Sequence, residues 1–330
     1  MAIHWDSHAC LRLHPQASFA PIDRLRGAGV HFVSINVGMD MNPLSQVMAV
    51  IAGFRATINA NPDKYILATA TADVTKAKDT GKIAVGFDLE GALPLMEQTV
   101  MVALYASLGV KQIHFAYNRN NSVADGCHDV SRGLTKLGEQ MVHAVNQAGM
   151  LMDCSHTGRT CSLDIMRVSA HPVIFSHANP LGLVEHGRNI TDEQIKACAA
   201  TGGVICPSGV SIFLGSDDPN ANDLARHVAY VANLVGTQHV GIGLDISFSQ
   251  AGLSDDPQVN TVDPATPYDP NYWWPSTAGY KRGVTKSEYT PVETWLILDN
   301  ALQKVGMTSA EAQAVMGGNM MRVAQRVWGA

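Results

Sequence analysis

Apolar residues along this 330-residue chain gather in short continuous runs rather than in strict alternation. The runs are "VHFVSINVG" from Val30, "KIAVGFDLEG" from Lys82, "KQIHFAYN" from Lys111, "MLMDCSH" from Met150, "PVIFSHANP" from Pro172, "GGVICPSG" from Gly202 and "HVGIGLDIS" from His239. With the opening "IHWDSHACLRLHP" from Ile3 they make eight. Runs this continuous describe strands buried on both faces, the pattern of a parallel sheet covered by helices. Between them lie stretches of helical period such as "LTKLGEQMVHAVNQAG" and "TDEQIKACAATG", the second with Thr191 placed to cap its start and Gly202 near its stop. Eight strand–helix units predict an α/β fold, a closed (β/α)8 TIM barrel, as a single domain over residues 1–330. The segment "YILATATADV" from Tyr65 is a ninth candidate strand with no place in that count, the alternative being a helix end that leads into the third strand.

One region breaks the rhythm. Residues 249–287 are rich in Pro, Asp, Tyr and Trp, and they follow the last strand, which sets them over the barrel mouth. The cluster Tyr272, Trp273 and Trp274 marks this stretch as an ordered active-site lid or a contact in a homodimer. The remaining chain reads as two or three closing helices.

Composition narrows the class. Charged residues are 16% of the chain, hydrophobic ones 46%, and the net charge of -6 is spread out, so no basic patch offers a nucleic-acid site. No apolar run is long enough to span a bilayer, and the first residues carry neither a basic nor an apolar leader segment, so the expectation is a soluble, cytoplasmic protein without a membrane partner. Six cysteines lack CxxC spacing, which argues against a zinc ribbon or a redox dithiol. The 13 histidines are the less usual count.

Several of those histidines, with other polar residues, stand at the C-terminal ends of the runs. His8 and Cys10 end the first, Glu90 the third, Tyr117 and Asn118 the fourth, His156 the fifth, His177 the sixth and Asp245 the eighth. In an extended strand His8 and Cys10 share a face. Each residue alone has a plainer reading: Glu90 caps a helix, His156 bonds a carbonyl, Asp245 caps the lid. Together, at the face where barrel enzymes keep their active sites, they form a candidate site for one or two divalent metals, with zinc favoured by the nitrogen and sulfur donors.

At this point the chain resembles the membrane dipeptidase (renal dipeptidase) family of zinc metallopeptidases, in a bacterial form. "DSHAC" is similar to the family's Asp-Gly-His-x-Asp, "GFDLEGALPL" to its Glu-Gly strand end, and "YNRNNSVADGC" to a segment of bacterial members. "MDCSHTG", "PVIFSHANP", "EHGRNITDE", "VGIGLDISF" and "MGGNMMRV" follow in the family's order. The resemblance implies that Glu90 bridges two zinc ions, with His156 and His177 completing one and His8 the other. It implies that Arg188 holds the substrate carboxylate, with Asn189 and Asn118 beside the substrate. Asp245 would move the proton from the attacking water to the leaving amine, and Tyr117 would hydrogen-bond the developing oxyanion.

Two departures qualify the likeness. Cys10 stands where the family has an aspartate ligand, and "LDISF" lacks the second aspartate and the glycine of the family's Asp-Phe-Asp-Gly. A thiolate donates more charge than a carboxylate and leaves the metal a poorer Lewis acid, so the His8 position binds zinc, binds another metal, or stands empty. The resulting expectation is a metal-dependent hydrolase that cleaves small dipeptides through a metal-activated water, with tolerance for a C-terminal D-residue. The alternatives are a barrel binding protein with a degraded metal site, or a hydrolase of another small amide or lactone.

Overall fold

The apolar runs become strands of one parallel sheet. The computed structural model describes residues 3–248, 269–280 and 288–328. Its strands are β1 (Trp5–Cys10), β2 (Phe32–Met39), β3 (Tyr65–Leu67), β4 (Ile83–Glu90), β5 (Val110–His114), β6 (Leu151–Asp153), β7 (Val173–Phe175), β8 (Val204–Ile205) and β9 (Ile246–Ser247). They follow the order β8-β7-β6-β5-β4-β2-β1-β9, so the sheet curls with each strand beside the next along most of its width. Helices fill the connections, as parallel crossovers require.

The ninth candidate is a strand, not a helix end. Tyr65–Leu67 pairs with Ile83–Val85 of β4, and β5 takes over the same edge from Phe87 onward. The Ala68 N–H continues the pairing by donating to the Val85 carbonyl at 2.9 Å. The eighth run is less regular than expected, because only Ile246 and Ser247 form a ladder. Its preceding residues still run between β8 and β1: the Gly241 N–H donates to the Ile205 carbonyl at 2.9 Å and the Ser7 N–H to the Ile242 carbonyl at 3.0 Å. Gly243 permits the approach, since a Cβ there would lie 1.8 Å from the Ser176 carbonyl oxygen.

The helix expected from Thr191 forms over Asp192–Ala200. The Thr191 side chain accepts from the Gln194 N–H, and Gly202 follows at φ +83°. At the N-terminal end of the sheet, Trp5, Phe32, Ala84, Leu151, Ile174 and Val204 pack with Met320 and Val323 of the helix Asn319–Val327 into an apolar base. Among the described residues no helix is long and apolar enough to cross a membrane. Of the stretch 249–287, only residues 269–280 are described, and the rest of that expectation lies outside the described residues.

Candidate metal centre

Strand alternation sets the inward faces. β1 aims Asp6, His8 and Cys10 to one side, β4 aims Asp88 and Glu90, and β5 aims Gln112 and His114. These carboxylates are clamped from β2, where Ser34 Oγ donates to Asp88 Oδ2 at 2.6 Å and Asn36 Nδ2 donates to Glu90 Oε2. Three loop residues at the rim, Asn118, His156 and Asp245, have φ of +60°, +62° and +58°. Left-handed backbone at a non-glycine residue persists only where the surroundings impose it. Behind the rim, Asp40 accepts from the N–H groups of Leu93 and Tyr117 and from Asn121 Nδ2, all at 3.0 Å, tying three loops together. Gly91 is required beside it, because a Cβ at φ +140° would lie 2.1 Å from Asp40 Oδ1.

Four imidazoles converge on one carboxylate oxygen. Glu90 Oε1 lies 3.4 Å from Nε2 of His8, 3.7 Å from that of His114, 3.4 Å from that of His156 and 3.5 Å from that of His177. Each ring turns its other nitrogen to an acceptor. His8 Nδ1 faces Asp88 Oδ1 at 3.3 Å and His114 Nδ1 faces Asp153 Oδ2 at 3.6 Å. His156 Nδ1 lies 2.7 Å from Asn118 Oδ1, and His177 Nδ1 lies 2.7 Å from Ser176 Oγ, whose own hydrogen goes to Asp153 Oδ2. At His114 and His177 the acceptor on the Nδ1 side assigns the ring proton there in a neutral imidazole and leaves the Nε2 lone pair pointing inward, the arrangement of histidines that bind metal, whereas His156 Nδ1 also receives the Arg188 Nε–H at 3.2 Å.

The electrostatics carry the same demand. Burial lowers the pKa of His114 and drives His156 and His177 well below the ordinary histidine value, the last two helped by Arg188, so these three stay neutral. Burial also opposes charge on His8, but Asp88 and Glu90 outweigh it and hold its pKa well above the usual value. Glu90 is pushed up to about 8 by burial, against the pull of His8 and with the push of Asp88 and Asp245. Neutral imidazoles facing a carboxylate that ionises poorly without a cation fit a divalent ion with nitrogen and oxygen ligands. The donor atoms form three overlapping groups: His8, Cys10 and Asp245; His8, Glu90 and His177; and Glu90, His114 and His156.

The residues expected from sequence fall into two sets. His8, Cys10, Glu90, His156, His177 and Asp245 come together. Cys10 Sγ lies 3.3 Å and Asp245 Oδ1 3.7 Å from His8 Nε2. Burial pushes the Cys10 thiol up to about 12, a shift His8 partly opposes, and pushes Asp245 up to about 6. The Tyr117 ring stacks on His156 at 4.3 Å. Arg188 is buried, with Nη2 donating to the His177 carbonyl at 2.9 Å and Nε 3.2 Å from His156 Nδ1. Asn118 and Asn189, expected beside substrate, have their amide nitrogens engaged within the protein. Asn118 bonds His156 through its oxygen, and its Nδ2 donates to the Trp273 carbonyl at 3.0 Å. Asn189 Nδ2 donates to the carbonyls of Val184 at 2.9 Å and Phe213 at 3.2 Å. Sequence reasoning missed His114, Asp88, Asp153 and Asn36. For the first three a signal was present: Asp88 is two residues before Glu90, and His114 and Asp153 are polar residues standing inside apolar runs.

Cys10, Glu90, Tyr117, His156 and Asp245 open into a cleft of about 720 Å³, counting its mouth, whose other wall includes Leu11, Phe213, Trp274, Tyr280 and Tyr289. Trp274 and Tyr280, of the segment 269–280, contribute to this wall.

A family model for the membrane dipeptidases (peptidase family M19) matches residues 16–262. The chain belongs to that family. An uncharacterised dipeptidase of Schizosaccharomyces pombe is 30% identical over 212 residues, 61% of this chain and 51% of its own. A dipeptidase of Clonostachys rogersoniana is 29% identical over 218 residues, 64% of this chain and 56% of its own. The chain therefore spans about half the length of the curated relatives it matches. Among solved structures, an amidohydrolase from Pseudomonas aeruginosa superposes with a TM-score of 0.85 at 28% identity, covering 100% of this chain and 97% of that one. Membership in the dipeptidase family agrees with the metal-ligating character of the cluster.

Proposed function

We propose that this chain is a zinc-dependent hydrolase that cleaves the amide bond of small dipeptides, accepting a D-residue at the C-terminal position. The observation that carries this reading is the convergence of four imidazole Nε2 atoms on Glu90 Oε1, each ring anchored from behind. Family membership and the dipeptidase relatives support the substrate class. We read the fold as one closed (β/α)8 domain whose eighth strand is supplied by residues 240–247, with 269–280 as part of a lid. The unpaired state of all six cysteines supports a cytoplasmic setting.

Glu90 would bridge two ions, with His156 and His177 on one and His8 and Cys10 on the other. When bound, the metal supplies Lewis acidity toward the scissile carbonyl and lowers the pKa of water. The chain's own groups do the rest. Asp245, partly exposed to the cleft and with a pKa near neutrality, takes a proton from the attacking water and returns it to the leaving amine. Burial holds the Tyr117 hydroxyl well above its usual pKa, so it stays a donor toward charge developing on the carbonyl oxygen. Arg188, whose guanidinium has no carboxylate partner among the described residues, fixes the substrate carboxylate. The test is metal analysis of purified protein with a screen of L,L- and L,D-dipeptides before and after chelation. Zinc-restored turnover is expected, and full turnover of chelated protein rejects the reading. Light scattering on the same preparation tests the homodimer expectation.

A further inference from the structure

We propose that His114 is itself a metal ligand, joining Glu90 and His156, with Asp153 as the residue that positions it. The inference rests on the metallohydrolase reading of this centre and adds a donor that the His8, His156 and His177 set leaves out. His114 closes β5 and is 2% exposed. Its Nε2 has no hydrogen-bond partner among the described residues, yet points at Glu90 Oε1 from 3.7 Å. The donor atoms of His114, Glu90 and His156 all lie within 4.8 Å of one another, the span one ion bridges.

The alternative is a core histidine that happens to lie nearby, and the surroundings argue against it. A core histidine satisfies both ring nitrogens, or a leucine fills the space without an unpaired polar atom. Here only Nδ1 has an acceptor, and that acceptor is fixed. Asp153 accepts from Ser176 Oγ, from Gln112 Nε2 at 3.2 Å and from the Ser155 N–H at 2.9 Å. A carboxylate set in this way keeps the proton on Nδ1 and the lone pair on Nε2. The His114 ring also stacks on His156 at 5.1 Å and 30°. With His177 nearby, the ion beside Glu90 has three imidazoles to draw on.

Two experiments on the full chain decide it. In a crystal of the zinc-loaded protein, anomalous scattering at the zinc edge is expected to put zinc at about 2.0–2.1 Å from His114 Nε2. A zinc ion beyond coordinating distance of that atom overturns the inference. Chelator competition on His114→Gln is expected to weaken zinc binding by a factor on the order of 100 or more. Asp153→Asn, which leaves the imidazole in place, is expected to weaken it by about 10–100-fold. Zinc affinity unchanged in His114→Gln, even with a lowered melting point without zinc, marks the residue as merely structural and overturns the inference. The metallohydrolase reading survives that result. It falls, and this inference with it, if the unaltered protein takes up no metal.

Discussion

The two ends of the sheet are built from the same strands and could hardly differ more. At the base most strands contribute an apolar residue, and Trp5 stacks on Phe32 with ring centroids 3.8 Å apart. The helix Asn319–Val327 covers this end, and Asn319 Nδ2 donates to the carbonyls of Thr237 and Val240, each at 2.8 Å. Toward the mouth β1, β2, β4 and β5 carry His8, Asn36, Glu90 and His114, and three of the loop residues there sit in left-handed backbone. β1 makes the transition alone, from Trp5 to Cys10 in six residues. The comparison teaches a division of labour. The base supplies burial free energy, which lets the mouth keep imidazoles, carboxylates and strained loops that a marginal fold would not tolerate.

The division is broken most sharply by attacking the mouth. Removing metal with a chelator, or replacing Glu90 by Gln, is expected to lower kcat on dipeptides by about 10³-fold or more, with zinc restoring only the unaltered protein. Circular dichroism should show the folded state in each case, because the base is untouched. Asp245→Asn is expected to cost about 10²–10⁴-fold in rate. Its carboxylate must be ionised to accept a proton, so kcat/KM of the unaltered enzyme should rise with pH through about 6, the raised pKa of this group, or lower where a neighbouring cation pulls it down. The variant should lack that acid limb in the pH–rate profile.

The reverse experiment attacks the base. Phe32→Ala removes a fully packed ring and is expected to cost about 3–5 kcal/mol in denaturant unfolding. Activity per folded molecule should stay near that of the unaltered protein. A large loss of kcat at constant folded fraction would mean that the ends are coupled rather than divided.

Two smaller effects sharpen the picture within the mouth. Arg188→Ala is expected to raise KM for free-acid dipeptides about 10–100-fold, the worth of a charge-assisted bond, and to affect C-terminally amidated analogues less. Since Arg188 also touches His156 and the His177 carbonyl, a modest fall in kcat on both substrates should accompany it. Replacing Tyr280 by Ala in the apolar wall of the cleft should reduce kcat/KM by about 10-fold for dipeptides with a large apolar side chain and little for those of glycine. Equal losses on both would separate that wall from side-chain recognition.

Much of the mouth was legible in advance because strand ends are local. An apolar run that stops at His8, Glu90 or Asp245 announces both a strand and the face its last residue occupies. His114, Asp88 and Asp153 carried the same periodic signal, but a buried histidine or aspartate inside a run reads equally well as a core residue, and only the neighbouring strands separate the two. Asn36 had no signal of its own, since its role depends on β2 lying beside β4 in the register that sets Asn36 opposite Asp88. The ninth candidate strand had no place in the sequence pattern for a related reason. Tyr65–Leu67 is three residues long, too short for periodicity, and is a strand only because β4 offers it an edge below β5.

The sequence alone determined which residues could ligate a metal and on which face of each strand they sit, because alternation and the order of motifs are properties of the chain. The number of imidazoles that meet at Glu90 Oε1 was decided only by tertiary structure. Convergence depends on how far the sheet curls and how neighbouring strands register, and those are set by packing between residues such as His8 and His177, far apart in the chain and 4.0 Å apart ring to ring. The protonation of those rings was likewise not written locally. It follows from which acceptor stands behind each Nδ1, and for His114 that acceptor is an aspartate on the next strand.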